Sequence, residues 1–579
     1  MANSLKKRGQ KLVKKFSRTS LKVSEEGKEH IKENLFQRFS HIQNIRLLIF
    51  EWSLLVVALI MLGVAQAFWL SDSYAENTFV NGGTYIEATV GRVNSMNPLF
   101  AATSSEKTLS RLMFATLVSN DYSGHPGLGL ADKIRSSEDG KVWTIRLRDN
   151  LKWSDGEALT NEDVMFTLGL IQSPVVSTVY DANLANVKIE ENANGEIVFT
   201  LASAYADFKS ALEIPIVPKH ELMDAEPKTL VEDSFSIAPV TSGAFMFNAT
   251  QVASSSDDSL TYLSANPYYY GGKPMLSSFG VHAYADREAV IAALNAGAVT
   301  ATAELTMSDA ERITAGNVVK MQTPVDAGAF MFFNTGSGAL KNAALRRAIR
   351  QGINVESLRL AAEALNAIDY PILDSQIKLA SYPEIPTENF EAATTKIAEI
   401  KGGEQLGLNI VTINSGRLPA VAEELKKQLE ALGINAGVMI YEETQEFVAN
   451  VISKRAYDIL IYEVELGADP DLLPYYHSSQ ATGAGLNLSN YRNTLVDDLL
   501  IGARETLDVT LRAKKYESFL EYWVEDVPAI GLYQANMTYM YNKNARCYNS
   551  ESIHLVTALD RFIDVTAWAT NRGTKNLTP

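Results

Sequence analysis

RLRDNLKWSDGEALTNEDVMFTL, residues 146–168, carries a strand end, a polar turn and a capped helix with almost no slack between them. Just upstream, Trp143, Ile145 and Leu147 alternate with Val142, Thr144 and Arg146, the period of a half-buried strand. Ser154-Asp155-Gly156 supplies turn chemistry, because a short Asp side chain bonds nearby backbone and Gly tolerates a positive φ. Thr160, followed three residues later by Asp163, forms a capping box with Asp in place of the usual Glu or Gln, so a helix starts there. Nothing in the stretch is catalytic; its charged residues shape a turn and a helix start.

Further segments extend this reading along the chain. GGTYIEATVGRVNSMNPLF (82–100) and IPIVPKHEL (214–222), the second with a Pro-Lys-His turn, resemble an opening strand with its loop and a return strand of the family named below. SANPYYYGGKPML (264–276) precedes a short helix, AVIAALNAGAV (289–299), that stops at a glycine. FFNTGSGALKNAALRRAIRQGINVESL (332–358) reads as strand, loop and Arg-rich helix. ADPDLLPYYHSS (468–479) holds an Asp-Pro-Asp run, and LEYWVEDVPAIGLYQ (520–534) a late Pro-containing crossover segment. In letters and order, these segments and residues 146–168 resemble the bacterial family 5 extracytoplasmic solute-binding proteins, the dipeptide and oligopeptide receptors of ABC importers.

That resemblance covers residues 82–548 and implies an α/β fold of two lobes, periplasmic-binding-protein-like of type II with an extra subdomain. Lobe I is expected over 81–100, 210–330 and 531–579, with the subdomain inserted at 101–209 and lobe II over 331–530. Crossovers between lobes are expected near residues 330–334 and 528–533. Alternating strand and helix patterns agree with α/β lobes, most clearly over residues 406–465. There LGLNIVTI and INAGVMI read as strands around a helix whose Val421, Leu425, Leu429 and Leu432 share one face, with Pro419 early and Gly433 as the stop. Glu423 and Lys427 stand at i,i+4 on that helix, QEFVANVISK reads as a second helix and YDILIYEVE as a buried strand.

With 579 residues the chain exceeds one ordinary core, and its net charge of −16 argues against nucleic acid as a partner. Residues 1–46 nevertheless hold 12 Lys or Arg and only 4 Asp or Glu, so a basic tail (1–44) precedes an acidic body. Part of that tail, LFQRFSHIQNIRLLIF, reads as a short amphipathic helix leading into a membrane. Residues 47–71, LLIFEWSLLVVALIMLGVAQAFWLS, carry one charge, Glu51, and suffice for a single transmembrane span over 45–70. The positive-inside bias puts the N-terminus in the cytoplasm and the body outside the cell membrane, joined by a polar linker at 71–81. Ala65-Gln66-Ala67 has the form of a signal-peptide cleavage site, but a 46-residue basic region before it favours an uncleaved anchor. The only cysteine, Cys547, excludes an intrachain disulfide and a Cys-based metal cluster, and reads as a small apolar side chain.

In peptide-binding relatives an acidic side chain just before the Asp-Pro-Asp run holds the peptide amine, and an Arg of an opposed loop can hold the carboxylate. Here Leu466 stands three residues before Asp469, so the resemblance displaces the acidic anchor to Glu465, with Glu463 two residues earlier. Arg417 is the candidate carboxylate partner, since a guanidinium binds bidentately. Asp469 and Asp471 set the Pro turn, with Asp469 also a candidate contact, and Met96 and Asn97 lie in the loop that lines the cleft in relatives. Tyr268, Tyr269 and Tyr270 read as lobe packing. No nucleotide loop, metalloprotease motif or nucleophile elbow appears, and the seven His residues are scattered, so no enzyme, metal or cofactor is expected. The implied function is capture of a small ligand, foremost short peptides, and delivery to ABC permease subunits. Sugars and nickel chelates, or a sensor or assembly partner served through the tail, are the alternatives within the fold; an anchored extracellular enzyme is the alternative outside it.

Overall fold

The computed structural model describes residues 46–73, 75–180, 184, 186–253, 258–442 and 444–576. The basic tail 1–44 and most of its amphipathic segment lie outside them. The described chain forms two units, residues 79–571 and a second made of the N-terminal helix with the C-terminal strand. The helix, Arg46–Ser73, contains a stretch, Leu48–Gln66, long and apolar enough to cross a membrane. Its 28 residues span about 42 Å at 1.5 Å per residue.

The expected linker at 71–81 is corrected by the structure: the helix continues to Ser73, and β1 (Ala75–Phe79) pairs with β16 (Arg572–Asn576). Residues 572–576 therefore do not join the lobe I sheet. AENTF and RGTKN lack apolar alternation, so only backbone pairing reveals these strands.

The body is organised on one ten-stranded sheet shared by both lobes. Lobe I contributes β2 (Thr84–Val90), β7 (Phe245–Val252), β8 (Ser259–Ala265), β9 (Ser278–Tyr284) and β10 (Ala301–Thr302). Two long strands, β11 (Val318–Phe333) and β15 (Ala529–Asn542), run antiparallel through both lobes. Lobe II adds β12 (Gly407–Ile413), β13 (Asn435–Tyr441) and β14 (Ile459–Glu465), giving the order β13-β12-β14-β11-β15-β10-β2-β9-β8-β7. β12 is parallel to β13 and β14, as crossover helices require. The helix Leu418–Ala431 between β12 and β13 buries Val421, Leu425 and Leu429. Its ion pair with Lys427 comes from Glu424, at 3.1 Å, and not from Glu423.

A separate four-stranded sheet, β3 (Ala131–Ser136), β4 (Val142–Leu147), β5 (Lys188–Glu191) and β6 (Ile197–Thr200), has the order β3-β4-β6-β5. Trp143, Ile145 and Leu147 of β4 are buried, and the Thr160–Asp163 capping box starts the helix Asn161–Ile171. His220 Nε2 meets Asp155 Oδ2 at 2.9 Å, tying the Pro-Lys-His turn to the Ser-Asp-Gly turn. The inserted unit starts later than residue 101: the helix Ser104–Met113 packs against β2, β7 and β9 and belongs to lobe I. One hydrophobic core joins lobe I to this subdomain; a second, running from Ala329 to Leu532, fills lobe II.

The register between β11 and β15 breaks between Pro324 and Gly328, before the expected first crossover at 330–334. Pro324 has no N–H to give the ladder. At Gly328 a Cβ would lie 2.9 Å from the Phe330 ring and 3.1 Å from Ile368, so any side chain there would force these neighbours to shift. Phe330 to Phe333 are instead buried in the lobe II core.

Candidate ligand cleft

Side chains alternate across β14, so Glu463 and Glu465 share a face; they stand opposite Ala329 and Ala327 of β11, where the two lobes meet. Both carboxylates are exposed. Glu465 lines a cavity of about 750 Å³ together with lobe I residues such as Lys107, Arg111, Glu304 and Arg561. It also lines an adjoining cavity of about 410 Å³ with Glu463, Arg417, Glu363 and Tyr533. Volumes of this size suit a small ligand held between two walls. Surrounding protein, and then the charge of Glu465, raise the Glu463 pKa above the usual carboxylate range.

Arg417 closes the loop before Leu418–Ala431 and reaches the same cavity, but it is not a free cation: its guanidinium is paired with Glu363. A ligand carboxylate would have to share or displace that partner. Glu363 itself has φ 53°, a left-handed conformation just beyond the helix Val355–Ala361.

The remaining candidates lie elsewhere. Asp469 pairs with Arg512 at 2.6 Å and lines neither cleft cavity; burial raises its pKa against the pull of Arg512. Asp471 pairs with Arg504. These pairs hold a seam to the inserted subdomain: Ala206 N donates to Arg504 O at 2.8 Å, and the Arg504 guanidinium lies 5.0 Å from the Tyr205 ring centre. Met96 and Asn97 are buried in lobe I, where Asn97 caps the turn Pro98–Phe100 and accepts from Leu99 N. The cleft-lining part of that loop is Ala101, Ala102 and Ser104, because the apolar Met96 and Leu99 turn inward. Tyr269 and Tyr270 pack on each other and against the lobe I core.

Lobe I supplies residues that sequence spacing does not signal. Arg111 donates to Glu213 at 2.8 Å and to Asp560 at 3.4 Å, joining three distant segments in the cleft wall. Arg561 is buried against Glu87 at 2.5 Å, and Glu87 also accepts from Tyr539 OH at 2.9 Å. Glu304 accepts from Ser104 Oγ, and burial pushes its pKa up. Local signals do mark two of these segments: a capping box, Thr103 to Glu106, starts the helix carrying Arg111, and another, Thr557 to Asp560, marks the turn carrying Asp560 and Arg561. Asp155, His220 and Glu221 form a possible metal-ligand group with atoms within 4.8 Å, but they are exposed, and the bond between the two turns accounts for His220 and Asp155. Cys547 is half-buried, its thiol pushed up to about 12 by burial.

Residues 125–485 match the family described as bacterial extracellular solute-binding proteins, family 5 middle. The chain is 23% identical over 519 residues to the oligopeptide-binding protein AppA of Bacillus subtilis (strain 168), covering 84% of this chain and 92% of AppA. The structure of Bacillus subtilis AppA in complex with a nonapeptide superposes with a TM-score of 0.69 at 21% identity, covering 85% of this chain and 99% of that one. DppA from Helicobacter pylori in complex with the peptide STSA also gives 0.69 at 21% identity, covering 85% and 98%.

Proposed function

Because the chain belongs to family 5 of the bacterial extracellular solute-binding proteins, we propose that it captures short peptides between its lobes and delivers them to the permease of an ABC importer. The observation that carries this reading is Glu465, a carboxylate at the end of a lobe II strand that lines both cleft cavities and meets lobe I residues in each. There it would hold a peptide amine, with Glu463 beside it and Arg417 toward the carboxylate. Curated relatives named for oligopeptide and D,D-dipeptide binding, and peptide complexes of AppA and DppA, support peptides. A ligand touching both lobes favours the closed form by its differential affinity, so capture and closure are one equilibrium.

The helix Arg46–Ser73 would serve as an uncleaved anchor, with the tail in the cytoplasm and the body outside. Protease added to intact cells should then digest the body and spare the tail. A protected body, or a mature chain beginning near Phe68, rejects this topology.

Mass spectrometry of molecules co-purifying with the full chain tests the ligand class, with peptides expected. Glu465→Ala should weaken binding of a confirmed peptide by about 2–5 kcal/mol, the usual cost of leaving unpaired a charge, here the peptide amine, that the closed lobes bury. Blocking the peptide amine should erase that difference. Unchanged affinity in Glu465→Ala rejects the amine assignment.

A further inference from the structure

Lobe II contains another cavity, of about 190 Å³, that shares no lining residue with the two cleft cavities. Its walls are apolar where Ile353, Ile385, Pro386, Trp523 and Ile530 line it, and Arg350 lines it as well. Arg350 is only 9% exposed. Nη1 donates to Val524 O at 2.5 Å, but Nε is buried with no acceptor. Burial, and then the charge of Arg347, pull the Arg350 pKa down to about 10.

Its neighbours are differently placed. Arg346, also buried, donates to carbonyls of Leu340, Asp526 and Val527. Arg359 bonds the Leu532 and Ile368 carbonyls and the Asp369 carboxylate. A buried guanidinium without an anion is costly, and a cavity beside it leaves room for one.

We propose that this cavity is a second ligand site, taking a small molecule with a single carboxylate head directed to Arg350 and an apolar body against Ile353, Ile385 and Trp523. The rim selects for low charge. Glu356, Asp369 and Glu388 also line the opening, and they oppose a phosphate or any multiply charged anion. An uncharged apolar molecule would fill the same walls and leave the guanidinium without a counter-charge.

The test is ligand-observed NMR on the full chain in lipid nanodiscs, with empty nanodiscs as the blank and 4-methylpentanoate as the probe. Saturable binding is expected, weaker by about tenfold or more for the isosteric 4-methylpentanol, since hydrogen bonds to a charged group are worth that much. Inorganic phosphate should bind no better than the alcohol. Arg350→Gln should abolish the preference for acid over alcohol. Ile385→Trp, which fills the cavity and leaves the guanidinium in place, should abolish binding of both and decides the matter should Arg350→Gln not fold. Equal binding of acid and alcohol, retention of the probe by folded Ile385→Trp, or no saturable signal overturns the proposal. So does a signal lost in Glu465→Ala, which would put the probe in the cleft.

Discussion

His554 Nε2 and Asp326 Oδ2 meet at 2.8 Å beside the break in register that separates the two lobes. Asp326 is buried on β11 and tied to both sides. Its N–H donates to the Leu555 and Val556 carbonyls of lobe I, its carbonyl accepts from Leu466 N of lobe II, and Ser375 Oγ donates to its other carboxylate oxygen at 3.1 Å. The bond to Asp326 raises the His554 pKa above 6.5. The folded protein therefore holds this proton more tightly than the unfolded chain does, and the stabilisation is complete below the unfolded pKa. As pH rises from about 6.5 through the folded value it is lost. Urea midpoints should fall over that window in the wild type, and the fall should be smaller in His554→Gln. Equal slopes in the two proteins would reject the assignment.

Arg417 and Glu363 form a part-exposed pair in the cleft. If Arg417 receives the ligand carboxylate, Glu363→Gln should free its guanidinium. Affinity for a peptide with a free C-terminus should then rise about 1.4-fold to fivefold, matching roughly 0.2–1 kcal/mol for an exposed ion pair. An amidated peptide should gain nothing. Calorimetric titration of both peptides distinguishes this from a purely structural Arg417, for which neither affinity rises.

Burial of the Glu87–Arg561 pair makes single and double substitutions behave differently. Arg561→Met alone should destabilise the body by about 3–5 kcal/mol, because it strands a buried carboxylate. Adding Glu87→Leu should recover much of that loss, leaving Tyr539 OH short of one acceptor. Denaturant unfolding of the two variants measures the difference. A double variant as unstable as the single one would contradict the argument.

Asp207 faces Asp469 and Asp471 across the seam between the subdomain and lobe II, with Arg512 opposing them. Burial and then Asp469 raise its pKa well above 3.8. A raised folded pKa favours the protonated form, so the contribution is present at low pH and declines as pH rises through the folded value. Asp207→Asn keeps the shape and removes the charge. The variant should match the wild type near pH 4 and exceed it in melting temperature at pH 8. A variant no more stable at pH 8 would show that Asp207 is not held in its neutral form.

Local chemistry was readable along the chain because its partners are close in sequence. The Thr160–Asp163 capping box, the buried alternation of Trp143, Ile145 and Leu147, and the helix face of Val421, Leu425 and Leu429 depend only on residues a turn or a strand apart. Glu463, Glu465 and Arg417 are nominated by the family resemblance, with which the place of Glu465 at a strand end, where ligands bind in α/β lobes, agrees. Tertiary structure decided the rest. It gave Arg417 a partner 54 residues away in Glu363 and turned Asp469 to Arg512. It buried Met96 and Asn97, and it built the opposite cleft wall from Arg111, Glu213 and Asp560, which no spacing connects. It also shifted the first crossing to Pro324–Gly328, where the missing N–H and the missing Cβ act on neighbours brought in by the fold. A charged side chain's role depends on which opposite charge reaches it first, and that is settled by packing between segments far apart in the chain.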